Sequence, residues 1–289
     1  MPADLFDISS LASSALSRAV VRTARPLLDR LLGLATLNDI YRTIPAAPDR
    51  MFPDLVLNAL RIQVSDHGTA AIPPAGPVIV TANHPHGALD GLALASVVRR
   101  VRPDVRLLAN HRLACVPELA KLCFFVDPFN GPAAASRSRA GLRDAHLWLR
   151  RGGVLIVFPA GEVAWQRDGD DRPVDSHWHD TVGRLALLTG ATISPAIIAG
   201  ANSEAFYQSG RISPWLRTAL LGHELLRQRG SIVQVTFAPA IGAMEGEDAT
   251  RLTDRARRTV VAPARVAPPG VLLPQPAGSP TGAARIADE

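Results

Sequence analysis

Residues 81–95 read TANHPHGALDGLALA and follow the apolar run Pro77-Val78-Ile79-Val80. A short β-branched run of this kind reads as a buried strand. It ends in an Asn, two histidines and an Asp, with Pro85 and Gly87 between them, and a helical apolar pattern resumes near residue 90. The same alternation continues outward. Strands are expected at 77–81, 105–108, 123–126, 154–158, 193–198 and 232–237, and helices at 90–101, 116–122, 134–151, 181–189 and 213–229. Strands alternating with helices predict an α/β fold with a mixed, largely parallel central sheet flanked by helices. No internal repeat is visible.

The flanks read differently. Residues 8–35 form an amphipathic helical pair in this reading: Arg18, Arg22 and Arg25 recur on one face, Pro26 suits a first helical turn, and Leu27, Leu28, Leu31 and Leu32 make an apolar side. The pair serves either as an ordinary packed helix or as an interfacial one, with leucines in the acyl region and arginines on lipid phosphates. Residues 262–289 hold six prolines without periodicity, which predicts a disordered Pro/Ala-rich tail. The organisation expected is therefore a helical, membrane-associating segment at 1–57, an α/β domain at 58–261 and the tail at 262–289.

The 289 residues are 47% hydrophobic and 20% charged, enough for a core. The net charge is +5, nearly all the positive charge is arginine, and Lys121 is the only lysine. That balance fits a phosphate-rich partner, and equally an Ala/Arg-rich composition with no functional meaning. Cys115 and Cys123 are too few for a disulfide framework, and each is expected as a buried structural thiol. Acidic Asp4 and Asp7 argue against a signal peptide. The longest uncharged window, Leu185 to Ser203, contains Gly190, Pro195 and Gly200 and reads as helix, turn and strand. A membrane span needs about 20 mostly apolar residues, so a soluble or peripheral protein is expected.

In an open parallel sheet, ligands bind beyond the carboxyl ends of the strands. Two polar loops fall at such ends, the opening stretch and FPAGEVAW at 158–165. In the first, Gly87 permits a tight turn and Asp90 is expected as the N-cap of the next helix. Asp90 could then orient an imidazole, fixing its tautomer and leaving the other ring nitrogen as a base. His84 and His86 compete for that role, and a helix cap beside a loop histidine is the plain alternative. There is no G-x-S-x-G elbow and neither cysteine lies in a polar turn. A dyad without a nucleophile suits a reaction in which the acceptor's own hydroxyl, or water, attacks an activated carbonyl. DSHWHD at 175–180 offers His177 and His179 at i, i+2, a weak metal signature that reads better as a solvated or lid loop; no metal is expected. Phosphate-loop patterns are absent. RLTDRARR at 251–258 is a basic helical stretch with no interleaved aromatics, so nucleic acid is not expected as a partner.

NHPHGALDG followed by FPAGEVAW resembles the lysophospholipid (glycerolipid) acyltransferase family, and most closely the branch that carries the hemolysin label and includes lyso-ornithine-lipid O-acyltransferases. The likeness runs from about residue 30 to 245 and takes in RRGGVLIVFPAGE, VGRLALLTGATISPAIIAGANSEAF and LRTALLGHELL. The resemblance implies O-acyl transfer from acyl-CoA or an acyl carrier protein to a lysolipid hydroxyl, with no cofactor beyond that co-substrate. It implies His84 as general base and Asp90 as its orienter. Phe158, Pro159, Gly161 and Glu162 correspond to the acceptor-binding block, and Pro195 to an apolar block near the acyl donor. Asn83, His86 and Gly87 are expected to shape and line the substrate pocket.

Two departures stand out. Five residues separate His84 from Asp90, where the family's commoner signature has four. Its commoner third block reads F-P-E-G-T-R-S, whereas Ala160 and Val163 stand here in place of the Glu and the Arg. An arginine would grip a glycerol phosphate bidentately. Either another arginine supplies the grip, with Arg112, Arg139 and Arg143 as candidates, or the head group is not a simple phosphate and Glu162 pairs with a cationic group. The partners implied are an acyl donor, a lysolipid acceptor and an anionic membrane surface, with the protein peripheral on the inner face of the cell membrane. A hydrolase using the same dyad and a non-catalytic lipid-binding protein are the competing readings.

Overall fold

The structure is a computed structural model, and it describes residues 32–127, 132–166 and 172–266. The arginine-bearing part of the N-terminal helical pair and most of the Pro-rich tail lie outside the described residues.

Helices α1 (Leu34–Thr43) and α2 (Phe52–Ala59) lead into β1 (Gln63–His67). The chain continues through β2 (Val78–Ala82), α3 (Ala88–Val101), β3 (Val105–Asn110), α4 (Pro117–Leu122) and β4 (Cys123–Val126). Then come α5 (Pro132–Arg150), β5 (Val154–Val157), α6 (Thr181–Thr189) and β6 (Thr192–Ile198). Three short helices follow, α7 (Glu204–Ile212), α8 (Pro214–Ala219) and α9 (Leu221–Arg227), before β7 (Ile232–Phe237) and α10 (Ala249–Val266).

The strands form one sheet in the order β1-β7-β6-β2-β5-β3-β4. Pairing is parallel throughout except between β6 and β7, so β1 and β7 run against the other five. The mixed, largely parallel sheet expected from the sequence is present. Side chains alternate between two cores, as the period of two along a strand requires. Val78, Val80, Val154 and Ile156 face α3 and α2. Ile79, Leu155 and Ile193 face α5, α6 and α10. The central strands are buried on both faces, hence their unbroken β-branched runs.

The structure revises several expectations. β1 (QVSDH) carries no apolar alternation because it is a half-exposed edge strand, paired on one side only. The single helix expected at 213–229 is two, α8 and α9, and an unexpected helix, α7, precedes them; Pro214 opens α8 because proline lacks the N–H a continuing helix needs. Phe52, Val56 and Leu57 belong to the same core as β2, so packing runs across the boundary drawn at residue 57. Helix α10 reaches Val266, past the start of the tail drawn at 262. Among the described residues no helix is long and apolar enough to cross a membrane.

Candidate active site

β2 lies between β5 and β6, parallel to both. Their carboxyl ends therefore deliver three loops to one rim: 83–87, 158–165 and 199–203. The first holds its shape through two devices. Asn83 donates from Nδ2 to the Ile198 carbonyl at 2.8 Å and accepts the Ile198 N–H at Oδ1, also at 2.8 Å. Its amide thus extends the sheet one rung beyond β2 and ties it to β6. Gly87 takes φ +90°, a conformation open chiefly to glycine.

Asp90 is not the N-cap expected from the sequence. The helix begins earlier, at Ala88 with Gly87 as N-cap, which puts Asp90 in its first turn with its side chain folded back. Oδ2 accepts three N–H groups: His84 Nδ1 at 2.8 Å, the His86 backbone at 2.8 Å and the Gly87 backbone at 2.9 Å. The carboxylate is 0% exposed, and the positive end of the α3 dipole favours its charge there. A carboxylate only accepts, so His84 Nδ1 carries the proton and Nε2 is the basic nitrogen. The His84 side chain is 17% exposed and its ring stacks on Phe158, centroids 4.0 Å apart and planes 18° from parallel. The residue is pinned through its backbone as well: its carbonyl accepts Ala164 N–H at 2.8 Å and its N–H donates to Asp175 Oδ1 at 3.1 Å.

The 158–165 loop is thus physically part of the same site. Pro159 is buried and its carbonyl accepts His179 N–H at 3.0 Å. Gly161 turns at φ +71°. Glu162 accepts from Ser176 Oγ at Oε1 and from Arg217 at Oε2, the latter at 2.6 Å. Burial works to raise its pKa, but the hydrogen bonds from Ser176 and Arg217 and the charge of Arg217 outweigh it and hold the carboxyl below its usual range. The DSHWHD segment supports the loop. Asp175 accepts from the buried Trp178 Nε1 at 2.9 Å as well as from His84, and burial pushes its own pKa up against those bonds. Among the described residues no cluster of three or more His, Cys, Asp or Glu could hold a metal.

The other expected site residues are placed differently. His86 turns away from His84: its Nε2 lies 3.2 Å from the Ala199 carbonyl and its Nδ1 has no partner among the described residues. It lines a cavity of about 340 Å³ with Gly200, Gln228 and Gln234. Pro195 sits inside β6 opposite Thr81, buried, its carbonyl bonded to Ala238 N–H. Arg112 stands exposed in the turn after β3, and Arg139 stands exposed on α5. Arg143 pairs with the adjacent Asp144. The cation that does reach the 158–165 loop is Arg217 of α8, fifty-five residues from Glu162. Proximity along the sequence could not have revealed it; its only earlier trace was the missing arginine at 163. Cys115 is exposed rather than buried, whereas Cys123 is buried and its thiol is pushed up to about 12. Neither resembles an activated thiolate.

The rim thus brings together an imidazole held by a buried carboxylate and a Gly-bearing loop at the carboxyl ends of adjacent strands. The chain belongs to the acyltransferase family, whose model, described as Acyltransferase, matches residues 9–254. Two relatives are the lyso-glycine lipid O-acyltransferases of Phocaeicola vulgatus and Bacteroides thetaiotaomicron. Each is 26% identical over 197 residues, covering 66% of this chain and 68% and 70% of theirs. The crystal structure of the 1-acyl-sn-glycerophosphate (LPA) acyltransferase, PlsC, from Thermotoga maritima matches 84% of this chain and 92% of its own, with a TM-score of 0.45 and 19% identity.

Proposed function

We propose that the protein transfers a fatty acyl group from an acyl thioester, on coenzyme A or an acyl carrier protein, to a lysolipid hydroxyl. The observation that carries this reading is the 2.8 Å contact between His84 Nδ1 and the buried Asp90 carboxylate. His84 Nε2 takes the proton of the acceptor hydroxyl as its oxygen attacks the thioester carbonyl. The carbon–oxygen bond forms, the tetrahedral oxyanion collapses, and the carbon–sulfur bond breaks. The thiolate leaves with the proton that His84 picked up, and Asp90 steadies the imidazolium in between. The positive end of α3, beside the base, favours the anionic centre. No acyl-enzyme forms. The names of the two relatives support an acceptor with an amino-acid head group. Glycine has no hydroxyl, so in such a lipid the attacking oxygen lies on the acyl chain. The enzyme works at an anionic membrane surface on the inner face of the cell membrane, which the arginines of the N-terminal segment would favour.

The test is the His84→Ala variant of the full chain, assayed for thiol release and for labelled product with and without lysolipid. General-base loss lowers turnover by about 10²–10⁴-fold, with the circular dichroism spectrum unchanged. Undiminished transfer overturns the reading. Thiol release that ignores the acceptor makes the protein a hydrolase.

A further inference from the structure

The ion pair between α8 and the 158–165 loop has no part in the proton transfer just described, yet it lies beside it. Glu162 is two residues from Ala164, whose N–H holds the His84 carbonyl, and its second partner, Ser176, adjoins Asp175, which holds the His84 N–H. Two residues span at most about 7 Å, so the backbone of Glu162 lies within that reach of the Ala164 N–H that pins His84.

The pair is also a built feature. Val163 is buried against Phe206 and Tyr207 of α7, with Leu220 and Leu221 packed around them. Position 163 therefore joins the Gly87 turn to the α7–α9 segment through an apolar side chain rather than a cation. That segment returns one: Arg217 donates to Glu162 Oε2 at 2.6 Å, and its guanidinium lies 5.1 Å from the Trp165 ring centre. The arginine stem packs on Gly210, where a Cβ would come within 3.0 Å of Arg217 Cδ. The guanidinium side chain is 10% exposed and the carboxylate 39%. A guanidinium has five N–H donors and a carboxylate about four acceptor sites; Glu162 accepts from Ser176 and Arg217, and Arg217 donates once to Glu162, so both keep capacity for a ligand.

We propose that Arg217 and Glu162 together read the acceptor's head group, Arg217 binding its carboxylate and Glu162 accepting from its N–H. This deepens the acyl-transfer reading and rests on it. The charge balance selects the ligand class. A positive and a negative group side by side complement a head that carries both a carboxylate and an N–H donor. A phosphate dianion would meet Glu162 as a like charge. The N–H can belong to an amide, as in an N-acylglycine, or to an ammonium, as in an ornithine head.

The experiment compares initial rates on four acceptors: N-(3-hydroxypalmitoyl)glycine, its methyl ester, the ornithine-headed analogue and lysophosphatidate. The wild type should favour a free-carboxylate probe over the methyl ester by tenfold or more, with lysophosphatidate poorest; the better of the glycine and ornithine probes identifies the N–H. Arg217→Gln should lower kcat/KM on the free acid by about 30-fold, through KM, as loss of a charged hydrogen bond implies, and lower the acid-to-ester ratio by about tenfold. Arg217→Lys, which keeps the charge and loses the fork, should fall between. Should R217Q not fold, E162Q/R217Q, which strands no carboxylate, carries the same comparison. An unchanged acid-to-ester ratio, an equal loss on both, or a wild-type preference for lysophosphatidate overturns the proposal. Wild-type protein that acylates none of the four while still releasing thiol overturns the acyl-transfer reading itself, and the proposal with it.

Discussion

Truncating Asn83 to alanine separates two roles for that residue. Its amide sits 8% exposed between the ends of β2 and β6 and makes two 2.8 Å bonds to the Ile198 backbone. The truncation would strand the N–H and C=O of a residue that is itself 1% exposed. Each stranded backbone group costs about 1–3 kcal/mol. Two such groups give about 2–6 kcal/mol, the lower end if water enters to replace the amide. For a domain of this size, at about 2–4 °C per kcal/mol, that corresponds to a melting point about 4–24 °C lower. His84 is the next residue, so kcat should fall with it while acceptor KM changes little. Asn83→Asp should be worse at neutral pH, because a carboxylate oxygen then faces the Ile198 carbonyl. That folded-state repulsion raises the new carboxyl's pKa, so stability should return as pH falls and the protonated acid donates again. Calorimetry with steady-state kinetics on both variants decides the matter. An N83A protein that melts within a degree of wild type and differs only in acceptor KM would refute the clamp and restore Asn83 as a substrate contact.

Two further outcomes follow from contacts elsewhere. A Cβ at Gly183 would lie 2.0 Å from the Ala249 carbonyl oxygen, so Gly183→Ala must force α6 and α10 apart. It should lower the urea midpoint by the equivalent of about 1–3 kcal/mol; a gain of about 1 kcal/mol, as helix propensity alone would give, contradicts that close packing. Glu162 has a folded-state pKa below its unfolded one, so its stabilising effect is present above the unfolded value of about 4.3 and fades as pH falls through the folded value. The stability gap between wild type and Glu162→Gln, read from urea midpoints, should therefore hold from pH 7 to about 5 and narrow as pH falls further. A gap that stays constant means the pair contributes nothing through its charge.

Much of the fold was legible because the strands buried on both faces leave an unmistakable mark: VLIV at 154–157 and PVIVT at 77–81 could hardly lie elsewhere. QVSDH was illegible because an edge strand half open to water needs no apolar period. A histidine meeting Asp90 could be read because a glycine lets so short a stretch close into a turn, but the choice of His84 over His86 came from the family resemblance and not from the spacing. Arg217 could not, because the contact that brings it to Glu162 is made by packing of α7–α9 around Val163, and no local pattern encodes where a helix fifty-five residues later will lie. The same holds for Asp175. Its segment looks like a metal or lid motif until tertiary structure turns the carboxylate inward onto Trp178 and the His84 backbone.

The order of strands in the sheet has a consequence for how the protein is made. The strand that leads into the His84 loop has β5 and β6 as neighbours, and the edge strand β1 is paired to β7 alone among the described residues. A nascent chain that has emerged as far as residue 150 holds β2 with neither neighbour, and the Asn83 clamp has nothing to close on until Ile198 leaves the ribosome. β1 waits longer still, for Ile232–Phe237. Such long-range closure is slow and leaves apolar strand edges open in the interval. Translation therefore delivers the histidine early but its working geometry only near the end, and a ribosome that stalls between the two leaves an aggregation-prone chain rather than a partly active enzyme.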